Sequence, residues 1–304
     1  MKILVTGSTG VIGRRVVPLL LQRGHDVTAA GRSRERLMPL TREGASPLTL
    51  DIFDASAVAA VVPGHDVVIN VATSIPPSTR ALLPGAWRAT ARVRRVASRV
   101  LADAAIAAGV QRFVQESFAP MYADAGDRWI DESFPIQPAR YNRSVVDAEA
   151  SAQRVTDAGA VGVVLRFSYF YDLDSDFSAD TARLVRRGWA PPFGHPASYI
   201  SSVTHDDAAA AVVAALDVPA GIYNVSDDEP LTRRDFYDAL AASLRVRPPR
   251  FLPQWMRYLG GSVGELLSRS QRISNGRFRA AAPGWAPRYP SARDGWRAIA
   301  PAIR

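Results

Sequence analysis

The chain of 304 residues has no cysteine, which excludes disulfides, thiolate zinc sites, iron–sulfur clusters and a cysteine nucleophile together. Lys2 is the only lysine among 37 basic residues, so no chemistry that needs an ammonium deep in a site has a residue to supply it. Histidine is scarce too. His25, His65, His195 and His205 are too dispersed for a helical metal pair and no HExxH occurs, so no metal is expected. No apolar run reaches spanning length, and the opening MKILVTGSTGVIG breaks its short apolar run with glycine. A cytoplasmic protein with no membrane partner is therefore expected. The net charge of +8 comes from arginines spread over the whole length. Their densest group, Arg88, Arg92, Arg94, Arg95 and Arg99, falls in an expected helix without interleaved aromatics, the pattern of a solvated face rather than a nucleic-acid surface.

What is present is ordinary globular material: 47% hydrophobic and 22% charged residues, enough for a large domain with a smaller partner. Strands are expected at Lys2–Thr6, Val27–Gly31, Leu48–Asp51, Asp66–Ala72, Gln111–Glu116 and Val161–Phe167. Helices are expected at Val11–Arg23, Ala55–Val62, Ala86–Ala108 and Ser144–Ala158. This alternation implies an α/β fold, a Rossmann-type doubly wound parallel sheet covered on both faces. After Phe167 the chain turns rich in proline and aromatics, with PPFG at 191–194, RPPRFLPQW at 247–255 and APGWAPRYP at 282–290. The expected division is a dinucleotide-binding domain from 1–166 plus about 200–226, and a substrate-binding region from 167–199 plus 227–304. Asp206–Leu216 and Gly221–Val225 supply the returning helix and strand.

The strongest local signal is Thr6-Gly7-Ser8-Thr9-Gly10-Val11-Ile12-Gly13, set between the first strand and the first helix. Gly7 permits the tight turn, Gly10 lets backbone approach a pyrophosphate, and Gly13 lets the helix sit close to the sheet, while the helix start from Thr9 to Ile12 offers amide donors. At the end of the second strand, where a carboxylate would take the ribose hydroxyls of NAD, stand Arg32, Ser33 and Arg34. These suit a 2′-phosphate, so NADP(H) is favoured over NAD; the alternative is that both arginines belong to the general excess. Asp51 and Ile52 are placed to meet adenine, Asp51 having a helix-capping role as its alternative. Val71, Ala72 and Thr73 end the fourth strand with side chains small enough for close passage of the cofactor.

These features resemble the extended and atypical short-chain dehydrogenase/reductase superfamily, including its NAD-dependent epimerase/dehydratase branch. The likeness also rests on Asn70-Val71-Ala72, Gly109-Val110-Gln111-Arg112-Phe113-Val114 leading to Glu116-Ser117, Tyr122, Tyr141, Arg166-Phe167-Ser168-Tyr169-Phe170-Tyr171, Thr204-His205-Asp206-Asp207, Gly221-Ile222-Tyr223-Asn224-Val225 and Gly284-Trp285-Ala286-Pro287. The resemblance implies that Phe167, Ser168 and Tyr141 face the cofactor. It implies catalysis by a Ser or Thr, a Tyr, and a Lys four residues after that Tyr. Ser117 is the candidate for the first, although the usual spacing from Tyr122 falls on Phe118; Tyr141 is the second; the lysine position holds Val145. Tyr122 is a reserve donor, and Glu116, Asp131 and Glu132 are minor candidates for an acid.

A phenol has an unperturbed pKa near 10, and without the lysine Tyr141 stays neutral. It can then donate a proton to a forming alkoxide but cannot readily take one from an alcohol. The reading is an NADPH-dependent oxidoreductase reducing a ketone or enone of a small hydrophobic molecule. It resembles the ketoreductases that tailor aromatic polyketides in antibiotic biosynthesis. The alternatives are a sugar-nucleotide epimerase/dehydratase or other non-redox isomerase, and an NADP-sensing regulator. Ser74 to Pro77, Trp129, Phe170, Tyr171, Trp189, Phe193 and Trp255 are candidates to line an aromatic pocket. Family-type helix pairing through Ala86–Ala108 and Ser144–Ala158 would give a homodimer.

Overall fold

The computed structural model describes residues 1–83, 85–172, 175–253, 255 and 259–302. The first half runs β1 (Lys2–Thr6), α1 (Gly13–Gln22), β2 (Asp26–Gly31), α2 (Arg34–Arg42), β3 (Ser46–Thr49), α3 (Ala55–Val61), β4 (Val67–Asn70), α4 (Arg88–Arg92), α5 (Ser98–Ala107), β5 (Arg112–Phe118), β6 (Trp129–Ile130), α6 (Val145–Asp157) and β7 (Val161–Phe167). It continues with β8 (Tyr169–Phe170), α7 (Asp176–Arg186), β9 (Tyr199–Ile200), β10 (Ser202–Val203), α8 (His205–Ala214), β11 (Gly221–Val225), β12 (Leu231–Thr232), α9 (Arg233–Ser243), α10 (Gly261–Leu267), β13 (Arg272–Ile273), α11 (Gly276–Ala281) and α12 (Ala292–Ile299).

Seven strands form one parallel sheet in the order β11-β7-β5-β4-β1-β2-β3. The order reverses between β1 and β4, and the crevice above their carboxyl ends is where such sheets bind ligands. The central strands read as continuous apolar runs because both faces are covered. Ile3, Val5, Val67 and Ile69 pack under α1 and α8 on one face, while Leu4, Val68 and Phe113 pack under α3, α5 and α6 on the other. Full burial of each such aliphatic side chain is worth about 1.5–3 kcal/mol. A separate core around Tyr171, Phe236, Tyr237 and Trp296 holds α7, α9 and α12 together in the C-terminal region.

Three differences from the sequence reading have physical causes. The third strand is Ser46–Thr49 rather than Leu48–Asp51; it pairs only with β2, and an edge strand tolerates Pro47. Helix α2 was not expected, because Pro39 lies inside it and its apolar face is only Leu37 and Leu40. The helix expected over Ala86–Ala108 is interrupted by a π-turn at Val93–Ala97 joining α4 to α5.

Candidate active site

Gly7 leaves β1 with φ +74°, and a Cβ there would stand 2.6 Å from the Cα of Ala72 as the chain leaves β4. Gly13 opens α1, where a Cβ would stand 2.6 Å from the Cα of Ser8. Neither obstacle can yield, since both are backbone. The turn is pinned from three sides: the Gly10 amide donates to the Gly7 carbonyl at 2.9 Å, the Ser8 hydroxyl to the Ala30 carbonyl at 2.9 Å, and the Thr6 hydroxyl to Asn70 Oδ1 at 2.8 Å. Asn70 in turn donates to Gln115 at 2.9 Å and to Ser98 at 3.2 Å, so β1, β4, β5 and α5 are locked at one level. Among the described residues the amides of Val11 and Ile12 meet no protein acceptor, and they lie at the positive end of α1. A glycine cradle that a Cβ would fill, with free amides above it, fits a dinucleotide pyrophosphate.

On the β2 side of the turn, Thr9 packs against Gly31. Arg32 and Arg34 are exposed, with no carboxylate partner among the described residues. Ser33 caps α2, accepting from the Arg36 amide at 3.4 Å. The alternative role for Asp51 is corrected: Asp54 caps α3, taking the Ser56 and Ala57 amides at 3.0 Å, while Asp51 only accepts from the Phe53 amide and is exposed. Ile52 packs beside Ala72. Val71 and Ala72 are buried and Thr73 is exposed.

On the β5 side stands Tyr141, in a short turn before α6. Its ring lies 4.5 Å from that of Trp87, and its hydroxyl makes no hydrogen bond to a described residue. Burial pushes the phenol far above its ordinary value, opposed by the charges of Arg94 and Arg269. The Tyr169 phenol is near enough to oppose the ionisation of Tyr141. Phe118 meets the ring of Tyr169 edge-on at 5.8 Å, and Phe177 stacks on Tyr169 at 6.5 Å. Val145, at the lysine position, is fully buried.

Ser117 and Tyr122 are placed elsewhere than expected. The Ser117 hydroxyl donates to Glu149 Oε1 at 2.5 Å. Arg166 grips both oxygens of Glu149 at 2.8 Å and donates to the Tyr122 hydroxyl at 2.7 Å, which donates onward to Asn224 at 2.7 Å. All five side chains are buried, and burial pushes the Tyr122 phenol up to about 12. The joint grip of Ser117 and Tyr141 on a carbonyl oxygen is therefore corrected, as is the reserve role of Tyr122: both hydroxyl protons are committed to a buried ionic network. A signal for that network was present in Arg166, a charge inside an apolar strand that needs an acidic partner.

Other candidates resolve likewise. Phe167 is buried against Phe170, and the Ser168 hydroxyl is buried without a partner among the described residues at the end of β7. Glu132 accepts the Asn224 amide at 2.7 Å, Asp131 binds Ser133, and Glu116 pairs with Arg94 at 2.9 Å. The expectation that Tyr171 lines an aromatic pocket is corrected. Tyr171 is core beside Trp296, Phe170 lies on His205, Arg272 covers Trp129, and Trp189 and Trp255 are exposed. The ring against Tyr141 is instead that of Trp87, with Tyr169 near it and Phe118 and Phe177 around Tyr169. Among the described residues no cluster could hold a metal ion and no helix is long and apolar enough to cross a membrane.

The model of the NAD(P)H-binding family matches residues 7–219. The chain belongs to this family. A 3-diazoavenalumate denitrifying reductase of a Streptomyces species is 34% identical over 306 residues, covering 97% of this chain and 99% of that protein. A 4-hydroxy-2-methyl-3-oxo-4-farnesyl-3,4-dihydroquinoline-1-oxide ketoreductase of Stigmatella aurantiaca is 26% identical, covering 81% and 74%. Among solved structures, a human epimerase family protein crystallised with NADPH superposes with a TM-score of 0.82 at 22% identity, covering 100% of both chains. The UDP-glucose 4-epimerase of Thermotoga maritima gives 0.78 at 20% identity, covering 99% and 98%. The chain thus shares the Rossmann-like fold of these structures and carries an NAD(P)H-binding domain.

Proposed function

We propose that this protein is an NADPH-dependent reductase of a ketone or enone on a small, hydrophobic, ring-bearing molecule. The observation that carries this reading is the Tyr141 phenol, kept neutral by burial and without a hydrogen-bond partner among the described residues, against the ring of Trp87 and near Tyr169. NADPH, when bound, supplies the hydride. Gly7, Gly10, Gly13 and the amides of Val11 and Ile12 would hold its pyrophosphate, Arg32 and Arg34 its 2′-phosphate, and Asp51 and Ile52 its adenine. Tyr141 holds a proton at its hydroxyl for the oxygen of the reduced carbonyl, and the rings orient a flat substrate and exclude water. Phe118 and Val145 offer no polar group to a sugar ring, and a neutral phenol is poorly suited to oxidising an alcohol, which weighs against epimerase or dehydratase chemistry.

The full-length relative named as a denitrifying reductase favours a second reading, reduction of an aryl diazo group with release of dinitrogen. That reaction has no carbonyl oxygen to protonate, so a site without the lysine would lose little by it. Purified protein is to be given NADPH with a panel of aryl ketones, enones and aryl diazo compounds. Stoichiometric NADPH loss with an alcohol or saturated ketone as product is expected. Dinitrogen release without carbonyl turnover would select the second reading, and product formation without net NADPH loss would overturn both.

A further inference from the structure

Beneath Tyr141 lies a polar pair that none of the roles above uses. Arg94 and Glu116 meet at 2.9 Å with side chains only 4% and 12% exposed, yet Nε of Arg94 and Oε2 of Glu116 are buried and have no hydrogen-bond partner among the described residues. Buried polar atoms in native proteins are almost always satisfied, and those of charged groups are the costliest to leave unpaired. Each member of the pair thus keeps one unsatisfied polar atom, a donor on Arg94 and an acceptor on Glu116.

Strand order says what would lie there. With Arg32 and Arg34 beyond the end of β2, a dinucleotide whose pyrophosphate sits on the Gly7 turn extends in the other direction past Val71 and Ala72 toward β5. Gln115 is in register with Asn70, so Glu116 is one step nearer the carboxyl end of the sheet, level with Val71. Arg94 reaches it from the π-turn, a helical irregularity found often at functional sites. Arg94 is near enough to Tyr141 for its charge to act on the phenol, and the Tyr141 ring lies against that of Trp87, just before α4. The next residue, Arg95, points outward to Asp147 at 3.1 Å. The pair therefore sits between the phosphate turn and Tyr141, in a site whose lysine position holds buried Val145.

We infer that Arg94 and Glu116 form a clamp for the sugar that carries the nicotinamide. A hydroxyl both donates and accepts, which matches one unsatisfied carboxylate oxygen and one unsatisfied guanidinium N–H. A phosphate would be repelled by Glu116, and a cation by Arg94, so the pair selects a neutral diol. The inference rests on the NADPH reading of the site.

Calorimetric titration of the whole protein with NADPH and with 2′,5′-ADP, which lacks the second sugar and the nicotinamide, tests it. Glu116→Gln and Arg94→Lys are each expected to weaken NADPH roughly ten-fold or more, the loss of one charge-assisted hydrogen bond, and to leave 2′,5′-ADP binding as in the wild type. Retained 2′,5′-ADP binding also shows that each variant is folded. Unchanged NADPH affinity, or equal losses for both ligands, would overturn the clamp and assign the pair a structural role. A wild-type protein that bound neither ligand would instead overturn the NADPH reading itself.

Discussion

On the proposed reading, Arg32 and Arg34 at the end of β2 set the choice of cofactor. Arg32 and Arg34 are exposed and unpaired with any described carboxylate, so removing either guanidinium leaves no buried charge behind and disturbs no protein contact. A charge-assisted hydrogen bond is worth about 1.5–3 kcal/mol. Exposure and salt screening reduce this toward about 1–1.5 kcal/mol for each arginine, or roughly ten-fold in affinity. Arg32→Ala and Arg34→Ala are each expected to weaken NADPH by roughly that factor, and the double variant by about a hundred-fold, if the two act independently. NADH, which lacks the 2′-phosphate, should bind all three variants as it binds the wild type. Titration with both cofactors at low and high ionic strength is the assay, and the preference for NADPH should shrink with salt. Ser33 separates local structure from recognition: its cap on α2 makes Ser33→Ala cost about 1 kcal/mol of stability. Equal losses for NADPH and NADH in the arginine variants, or no loss at all, would refute the assignment.

Four further outcomes follow. Tyr141→Phe should lower carbonyl reduction by about 10²-fold with little change in NADPH affinity; because burial raises the phenol, wild-type reduction should show no alkaline limb from this group below about pH 10. Ser117→Ala removes a donor from buried Glu149 and should cost about 1–3 kcal/mol in unfolding experiments, with no specific loss in turnover at a temperature where the variant is folded. Gly13→Ala forces a methyl group into the Ser8 backbone and should reduce NADPH binding and thermal stability together, by about 1–3 kcal/mol in the latter. Asp227 is wholly buried between Ser202 and Ser226, and burial raises it from 3.8 to about 7. Between those two values the folded chain keeps a proton the unfolded chain has lost. This contribution is therefore fully present below the lower value, is lost as pH rises to the upper one, and is constant beyond it. It amounts to about 4 kcal/mol at most, and Asp227→Asn should flatten the fall in melting temperature between about pH 4 and pH 7.

The strands most legible in the sequence were those with the least choice. Lys2–Thr6, Val161–Phe167 and Gly221–Val225 are apolar runs bounded by turn residues, and their observed limits agree with the reading. The phosphate turn was legible because Gly7 and Gly13 answer to backbone contacts a few residues or one strand away. What depends on distant side chains was not. Nothing local to Ser117 reveals that α6 brings Glu149 to its hydroxyl, or that Arg166 and Asn224 complete the network from two further strands. The π-turn was hidden for a related reason, since Val93 to Ala97 has no proline or glycine and reads as uninterrupted helix. Tyr171 was misassigned because composition cannot tell a ring that lines a site from one that fills the core between Phe236 and Trp296.

Direct transfer from the nicotinamide ring is the claim on which all the rest depends. Turnover of an aryl ketone with NADPH deuterated in turn on each face of C4 should place the label on the new carbinol carbon from one face alone. Carbinol free of label from both cofactors would contradict the account.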